Sequence, residues 1–218
     1  MLPEAAELKV VPTLDGRVRE PMSDWTSLCY AVVDVESNGQ QPPDLVEMAV
    51  VPIVGGVIGE PKSWLVKPER PIKYFATRIH GLTNDDVADA PAFADIEDEV
   101  RRRIDDSVLV AHKAHVDVGV LQRHLDEWKC PEVFDTLKLA KRLLPNQMSY
   151  QLGASVTSFS LADGLPDALL PHRATYDVLV TARLFVRLAS RDDGTPRSPQ
   201  ELHDQKPRGD SNEVPSLF

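Results

Sequence analysis

The chain has 218 residues, of which 27% are charged and 42% are hydrophobic, as is ordinary for a globular protein. No apolar run approaches the roughly 18–20 residues of a membrane span, the first residues lack a signal-peptide pattern, and two cysteines cannot build a disulfide framework. The net charge of −10 argues against non-specific nucleic-acid binding, which usually relies on a basic face. These features favour a cytoplasmic protein with one sizeable core.

Composition divides the chain into three parts. Residues 1–24 contain three prolines and little hydrophobic periodicity, which predicts a loose N-terminal extension. Residues 190–218 combine four prolines with Ser, Asp, Gly and Gln, which predicts a disordered C-terminal tail. Residues 25–189 lie between them and carry the patterns of regular secondary structure, so we expect one folded domain there.

The folded part begins with strands and continues with alternating helices and strands. The first strand is almost continuously apolar, as in a central strand, and the next two flank Gly55-Gly56, as in a hairpin. The predicted strands are 28–35, 45–54, 57–66, 107–111 and 132–135. The predicted helices are 92–104, 116–128, 136–144, 151–159 and 173–188. This order predicts an α/β fold, a mixed five-stranded sheet flanked by helices.

Two carboxylates close the first predicted strand. Asp34 and Glu36 are two positions apart, so the alternation of a strand places both side chains on one face. Neighbouring carboxylates repel each other, and burial strengthens the repulsion, whereas a hard divalent cation between them removes it. The pair therefore indicates a metal site, with an exposed acidic strand end as the alternative.

Two more acids lie near the starts of predicted helices. Asp117 follows the strand 107–111 and lies in the first turn of the next helix, where the helix dipole alone also favours an acid. Asp177 lies in the final helix, five residues after His172, which Pro171 places on the preceding loop. This spacing lets Asp177 face a metal while His172 stays mobile in a cleft. A surface histidine and a helix-face acid are the alternative.

Three segments carry these residues. Residues 34–39 read Asp-Val-Glu-Ser-Asn-Gly, residues 111–117 read Ala-His-Lys-Ala-His-Val-Asp, and residues 172–177 read His-Arg-Ala-Thr-Tyr-Asp. They resemble the motifs D-x-E-T-T-G, A-H-N-A-x-F-D and H-R-A-x-x-D of the DEDD exonuclease family, in its histidine-containing subgroup. That family includes the proofreading epsilon subunit of bacterial DNA polymerase III and RNase T. The resemblance spans roughly residues 27–188.

The resemblance implies a ribonuclease H-like fold and a two-metal hydrolysis that releases nucleoside 5′-monophosphates from a 3′ end. By the family's pattern, Asp34, Glu36 and Asp177 would hold one Mg²⁺ or Mn²⁺ ion. Asp34 would hold the second, together with Asp117 directly or through water. His172 would be the general base, a role that suits a histidine near neutral pH.

Substrate contacts are predicted at five positions. Ser37, Asn38 and Gly39 follow the metal pair in a turn, where backbone N–H groups could meet the terminal nucleotide, although Asn-Gly is also ordinary turn chemistry. His80 matches a family position near the 3′-terminal nucleotide, with loop packing as the alternative. Lys113 replaces the family's Asn and could pair with a phosphate as a point charge. Asn38 replaces the family's second Thr. These departures from the family motifs leave the predicted metal ligands and base in place and bear on substrate preference.

The leading hypothesis is a metal-dependent 3′→5′ exonuclease domain at residues 25–189 that acts on DNA in proofreading or repair. The alternatives are a 3′→5′ exoribonuclease that trims RNA ends, or a non-catalytic module that holds 3′ ends or joins a polymerase. Four clustered acids without metal would be costly, which argues against the module. The final residues 216–218 read Ser-Leu-Phe, which resembles the end of a clamp-binding peptide and suggests a sliding clamp or polymerase as partner, with a terminus of no function as the alternative.

Overall fold

The computed structural model describes residues 24–203, which form a mixed sheet flanked by helices. The strands are β1 (Tyr30–Ser37), β2 (Leu45–Val54), β3 (Val57–Ile58), β4 (Lys62–Leu65), β5 (Val108–Ala111) and β6 (Val133–Asp135). The helices are α1 (Tyr74–His80), α2 (Phe93–Ile104), α3 (His115–His124), α4 (Thr136–Leu143), α5 (Leu152–Phe159), α6 (Ala174–Ala189) and α7 (Pro199–Leu202). A short 3₁₀ helix at Trp25–Ser27 precedes β1.

The strand order brings the C-terminal ends of β1 and β5 to the same edge. The path through the sheet is β3-β2-β1-β5-β6, and β4 also pairs with β2. β1 runs antiparallel to β2, with Glu36 opposite Glu47, and parallel to β5, with Val32 opposite Val110. Parallel neighbours end at one edge of a sheet, so the acids at the end of β1 lie beside the segment that follows β5.

Alternation along β1 sends successive side chains to opposite faces of the sheet. Tyr30 and Val32 pack in the same core cluster as the buried side of α6, whereas Val33 packs in a second cluster with α2 and α3. Asp34 and Glu36 continue the series of Tyr30 and Val32. The apolar pattern that builds the core thus directs both carboxylates toward the face that α6 covers.

The predicted mixed sheet flanked by helices is confirmed, with one more strand than expected. The predicted run 57–66 is divided into β3 and β4, because the chain bends at residues 59–61 and Pro61 has no N–H for a ladder. Helix α3 ends at His124 rather than at residue 128. Helix α1 was not predicted, because its seven residues leave Tyr74, Phe75 and Ile79 exposed and show no amphipathic period.

The predicted boundary at residue 190 is wrong. Ser190 pairs with Pro196, α7 carries a capping box at Ser198, and Leu202 is fully buried in the core cluster of α6. Arg142 donates hydrogen bonds to the carbonyls of residues 201 and 202, at 2.8 and 3.0 Å. One apolar side chain with a capped turn suffices to order a segment whose composition is otherwise polar.

Residues 1–23 and 204–218 lie outside the described residues, and with them most of the predicted N-terminal extension and the whole Leu217-Phe218 motif. The predicted clamp or polymerase contact through that motif stays a prediction. Within residues 24–203 no helix has the length and hydropathy to cross a membrane.

Replacing Leu202 by alanine should destabilise the full chain by about 2–4 kcal/mol, the range for a fully buried leucine. Denaturant unfolding followed by circular dichroism measures the change. Leu170→Ala is the matched control, because Leu170 is 58% exposed and should change stability by less than about 0.5 kcal/mol. Equal stability of the two variants would contradict a folded segment after residue 190.

Candidate active site

Three carboxylates meet where β1 ends against α6. One oxygen each from Asp34, Glu36 and Asp177 lies within 4.8 Å of the others, and all three residues are half-buried. Asp34 and Glu36 come from alternate positions of β1, and Asp177 comes from the first turn of α6. Of the predicted ligands, the structure brings these three together directly.

Asp117, the fourth predicted ligand, is bonded to the backbone of β1 at the residue that follows Asp34. It is buried in the first turn of α3, and its Oδ1 accepts a hydrogen bond from the Val35 N–H at 3.1 Å. This bond fixes Asp117 to the strand position between Asp34 and Glu36. The parallel pairing of β1 with β5 explains the contact, since α3 begins just beyond the end of β5.

The four acids carry strongly perturbed acidities. Burial and then the charges of Asp117, Asp177 and Glu36 raise the pKa of Asp34 well above its ordinary value. Burial and the charge of Asp177 raise the pKa of Glu36 to about 8, and burial raises the pKa of Asp117 to about 8. Burial also raises the pKa of Asp177, whereas the charge of the neighbouring His172 lowers it. The fold therefore concentrates negative charge that its own groups do not neutralise.

A fifth acid in the same region, Glu47, is neutralised by the protein. Its carboxylate accepts hydrogen bonds from Arg173 Nε and Nη2 at 2.9 and 2.7 Å, and from the Ala174 N–H at 3.0 Å. Glu47 is opposite Glu36 in the ladder, and Arg173 is the N-cap of α6. Sequence reasoning missed this pair, because its members are 126 positions apart and only the ladder register connects them.

His172 lies on the loop immediately before α6 and is exposed. Its backbone has a φ of +63°, in the left-handed region, and its proximity lowers the pKa of Asp177 against the effect of burial. The bidentate contact of Arg173 with Glu47 anchors the adjacent residue to β2. The histidine thus lies near Asp177 with an exposed side chain, and its predicted role as a mobile base stays a prediction.

The predicted turn after the metal pair is a hydrogen-bonded loop rather than an open one. Asn38 is fully buried; its amide donates to Asp44 Oδ2 and to the Arg70 carbonyl, and its Oδ1 accepts from the N–H groups of Gln40 and Asp44. Its own N–H donates to the Asp44 carbonyl. Every polar group of Asn38 thus has a partner within the protein, which indicates a structural role, and its predicted contact with substrate stays a prediction.

His80 is also used inside the protein. Its ring is 4% exposed, Nδ1 accepts from the Leu82 N–H at 3.1 Å, and Nε2 faces the Ser37 carbonyl at 3.3 Å. Burial lowers the pKa of His80, consistent with a neutral ring whose proton is on Nε2. The alternative of loop packing is the one that the structure shows, and it fixes the end of β1 at Ser37.

Gly39 lies against an exposed aromatic ring. Its φ is +72°, and a Cβ at this position would lie 2.7 Å from Cζ of Phe75. Phe75 is 54% exposed and belongs to α1, with Tyr74 and Ile79 also exposed. Close backbone approach therefore requires glycine here, and an apolar surface that sequence reasoning missed lies beside the loop of the metal pair.

Lys113 lies in the loop between β5 and α3 and is exposed. Its φ is +68°, and its N–H donates to Asp135 Oδ1 at 3.1 Å, so that the backbone is fixed while the ammonium group faces solvent. Its predicted role at a phosphate stays a prediction.

Comparison with known proteins places this arrangement in a family. The RNase T model, described as exonuclease, matches residues 31–185. The chain belongs to the RNase T exonuclease family. The match covers β1 to α6 and so includes all four carboxylates and His172, which supports the predicted DEDD membership.

Relatives of this exonuclease domain include DNA enzymes. Exodeoxyribonuclease 10 of Escherichia coli is 38% identical over 155 residues, which are 71% of this chain and 66% of that protein. DNA polymerase III PolC-type of Bacillus subtilis is 31% identical over 167 residues, 73% of this chain and 11% of that protein. The chain thus spans about two thirds of the first relative and about a tenth of the second.

A solved structure has the same architecture. Exonuclease X in complex with 5′ overhanging duplex DNA superposes with a TM-score of 0.61 at 36% identity, over 73% of this chain and 90% of that chain. Exonuclease I of E. coli in complex with a dT13 oligonucleotide has a TM-score of 0.63 at 16% identity, which shows a shared fold.

The exonuclease domain fits a hard divalent cation at its carboxylates. Asp34 Oδ2 is buried and has no hydrogen-bond partner among residues 24–203. All the donor atoms of the cluster are carboxylate oxygens, which such cations prefer, and the nearest arginine is committed to Glu47. A cation would satisfy the unpartnered oxygen and offset the repulsion at once.

Asp34→Asn should therefore stabilise the metal-free exonuclease domain at pH 7. The pKa of Asp34 is raised in the folded protein, so its ionised carboxylate destabilises the fold at pH values above the pKa of an exposed Asp. The amide of Asn removes that charge. We expect Tm to rise by about 2–4 °C, the shift that about 1 kcal/mol gives in a domain of this size.

With saturating Mg²⁺ or Mn²⁺ the wild type should instead have the higher Tm, because only the wild type has the complete ligand set. Thermal unfolding with EDTA and with metal measures both differences. Asp98→Asn, at an exposed position of α2, is the control and should behave like the wild type. If the wild type is more stable than Asp34→Asn in EDTA, the carboxylates do not repel one another as their raised pKa values indicate.

Proposed function

We propose that the chain is a metal-dependent 3′→5′ exonuclease that hydrolyses terminal phosphodiesters of DNA and releases nucleoside 5′-monophosphates. The observation that carries the proposal is the cluster of Asp34, Glu36 and Asp177, with an unpartnered carboxylate oxygen, in a member of an exonuclease family. Asp117 is bonded to the same strand. DNA is favoured over RNA because one relative is named as an exodeoxyribonuclease and one structural neighbour is bound to duplex DNA.

The roles of the residues follow from their positions. Asp34, Glu36 and Asp177 would hold one Mg²⁺ or Mn²⁺, and Asp34 with Asp117 would hold a second. Two cations held by these residues would supply charge stabilisation for the attacking and leaving oxygens of an in-line displacement at phosphorus and would make the attacking water more acidic. Because Asp34 belongs to both groups of ligands, it is the acid on which the site depends most.

His172 is the proposed general base. Its exposed ring can take a proton from the water that attacks phosphorus, while the bond from phosphorus to the 3′ oxygen of the shortened strand breaks. The effect of His172 on the pKa of Asp177 supports a position of the histidine beside the carboxylates. Arg173 acts on this loop through Glu47 and is a positioning residue.

A cleavage assay tests the proposal. Single-stranded DNA and RNA of one sequence, labelled at the 5′ end, are incubated with wild type, Asp34→Ala and the control Asp98→Ala. We expect a ladder that shortens from the 3′ end with Mg²⁺ or Mn²⁺ and not with EDTA. Asp34→Ala should lose activity by about 10³-fold or more, the rate equivalent of about 4 kcal/mol.

DNA should be the faster substrate. Faster cleavage of RNA would reassign the substrate and leave the chemistry intact. Absence of cleavage by the wild type, although metal raises its Tm, would support a non-catalytic module that holds 3′ ends.

His172→Ala should keep the metal-induced rise in Tm and lose about 10²–10⁴-fold in rate, the range for a general base. The rise is retained because none of the four acids is altered. His115→Ala is the matched control, because His115 is exposed in the same part of the molecule and should retain full rate. An unchanged rate in His172→Ala would mean that another group accepts the proton.

A further inference from the structure

A second concave site lies on the far side of the loop that leads to Asp117. It is a cavity of about 520 Å³ between that loop, helix α4 and the segment before α5. Its polar lining includes His112 and Lys113 from the loop, Lys141 from α4, and Ser149 from the segment. The four acids of the active site are not among its lining residues.

The cavity is basic in a protein that is acidic. None of its lining residues is Asp or Glu, whereas the whole chain carries 34 acids and a net charge of −10. Lys113 and Lys141 are both exposed at it. The nearest structural acid, Asp135, has its carboxylate occupied by the N–H groups of residues 113, 114, 137 and 138, at 2.9–3.3 Å. The lysines thus face a space that no lining carboxylate neutralises.

The cavity also has an apolar wall. Met148 is fully exposed at its rim, and Leu137 and Leu152 line it. The Tyr150 hydroxyl donates to the Leu144 carbonyl at 2.7 Å, which fixes the segment that carries Met148. Lysines beside a protruding thioether match a ligand with phosphates and flat apolar rings, which describes a nucleic-acid strand.

The cavity is close enough to the carboxylates to bind the same strand. Lys113 and Asp117 are four positions apart in the chain, so their Cα atoms are at most about 14 Å apart. Successive phosphates of one strand rise about 3.4 Å along the axis of a duplex and lie farther apart in an extended single strand, so this limit corresponds to a few nucleotides at most. A strand whose 3′ end is at the carboxylates can therefore reach the cavity with the nucleotides that precede the scissile bond.

We propose that this cavity binds the upstream part of the digested strand, with Lys113 and Lys141 at its backbone phosphates and Met148 against a base. The inference rests on the proposed function, because it takes the 3′ end to lie at the four acids. In this proposal, part of the binding affinity for the strand comes from the cavity, outside the metal site.

Binding is measured in the Asp34→Asn background, which removes cleavage from the measurement. A 16-nucleotide oligothymidylate labelled at its 5′ end reports Kd by fluorescence anisotropy at several KCl concentrations, and unlabelled dT2 and dT16 compete with it. Lys113→Gln/Lys141→Gln should raise the Kd of dT16 roughly tenfold. The slope of log K against log salt should fall by about 1.4, at about 0.7 for each lost phosphate contact on a single strand.

The short competitor locates the effect. dT2 is too short to fill both sites, so its affinity should change by less than about twofold. Met148→Ser should weaken dT16 severalfold with no change in slope, because it removes an apolar contact and no charge. Lys67→Gln/Lys129→Gln removes the same charge at exposed positions away from the cavity and should leave the slope unchanged.

The outcomes separate the two proposals. A slope that stays unchanged in Lys113→Gln/Lys141→Gln, while the parent binds dT16, overturns the assignment of the cavity and leaves the exonuclease proposal intact. Equal weakening of dT2 and dT16 also overturns it, because the lysines would then act at the terminal nucleotide. A parent that binds no strand overturns the assignment of the cavity, and the cleavage assay with the wild type then decides the exonuclease proposal on its own.

Discussion

The crowding of carboxylates at the end of β1 is the constraint around which this domain is organised. Four acids share a buried region, and the raised pKa of each shows that its ionised form is unfavourable there. The packing of β1, β2 and α6 must outweigh this cost in the absence of metal. The elements that hold the acids are accordingly among the most buried in the molecule, with β1 central in the sheet and α6 across one face. A rigid core allows an unfavourable cluster to persist.

The protein treats its other buried acids differently. Glu47 has Arg173 and a backbone N–H, Asp44 has Arg70 and Asn38, and Asp135 has four backbone N–H groups. The hydrogen bond from Arg70 lowers the pKa of Asp44, the reverse of the shifts in the cluster. These three acids have partners, whereas Asp34 Oδ2 has none among residues 24–203, which supports the ligand role proposed for Asp34.

The sequence was informative where a short-range rule applied. Two-residue alternation in the first strand predicts the shared face of Asp34 and Glu36, and the resemblance to the family indicates Asp177 as the acid that joins them. It failed where the cause lies far along the chain. The partner of Glu47 is fixed only by the ladder register, and the role of Asn38 depends on a loop closed by Arg70. The segment after residue 190 appeared disordered from its composition, because one buried leucine is invisible to an average over 29 positions.

Charge location explains how an acidic chain can serve a polyanion. Under the two proposals, a cation would remove the repulsion at the carboxylates and supply the chemistry. The attraction for the strand would come from a separate cavity, whose Lys113 lies on the same loop as the start of the segment that carries Asp117. Asp135 connects the two places, because its carboxylate holds the N–H groups of Lys113 and Ala114 just before α3 and caps α4. If both proposals hold, a shift of this loop would move the bound strand and Asp117 together and keep the upstream phosphates aligned with the metal site.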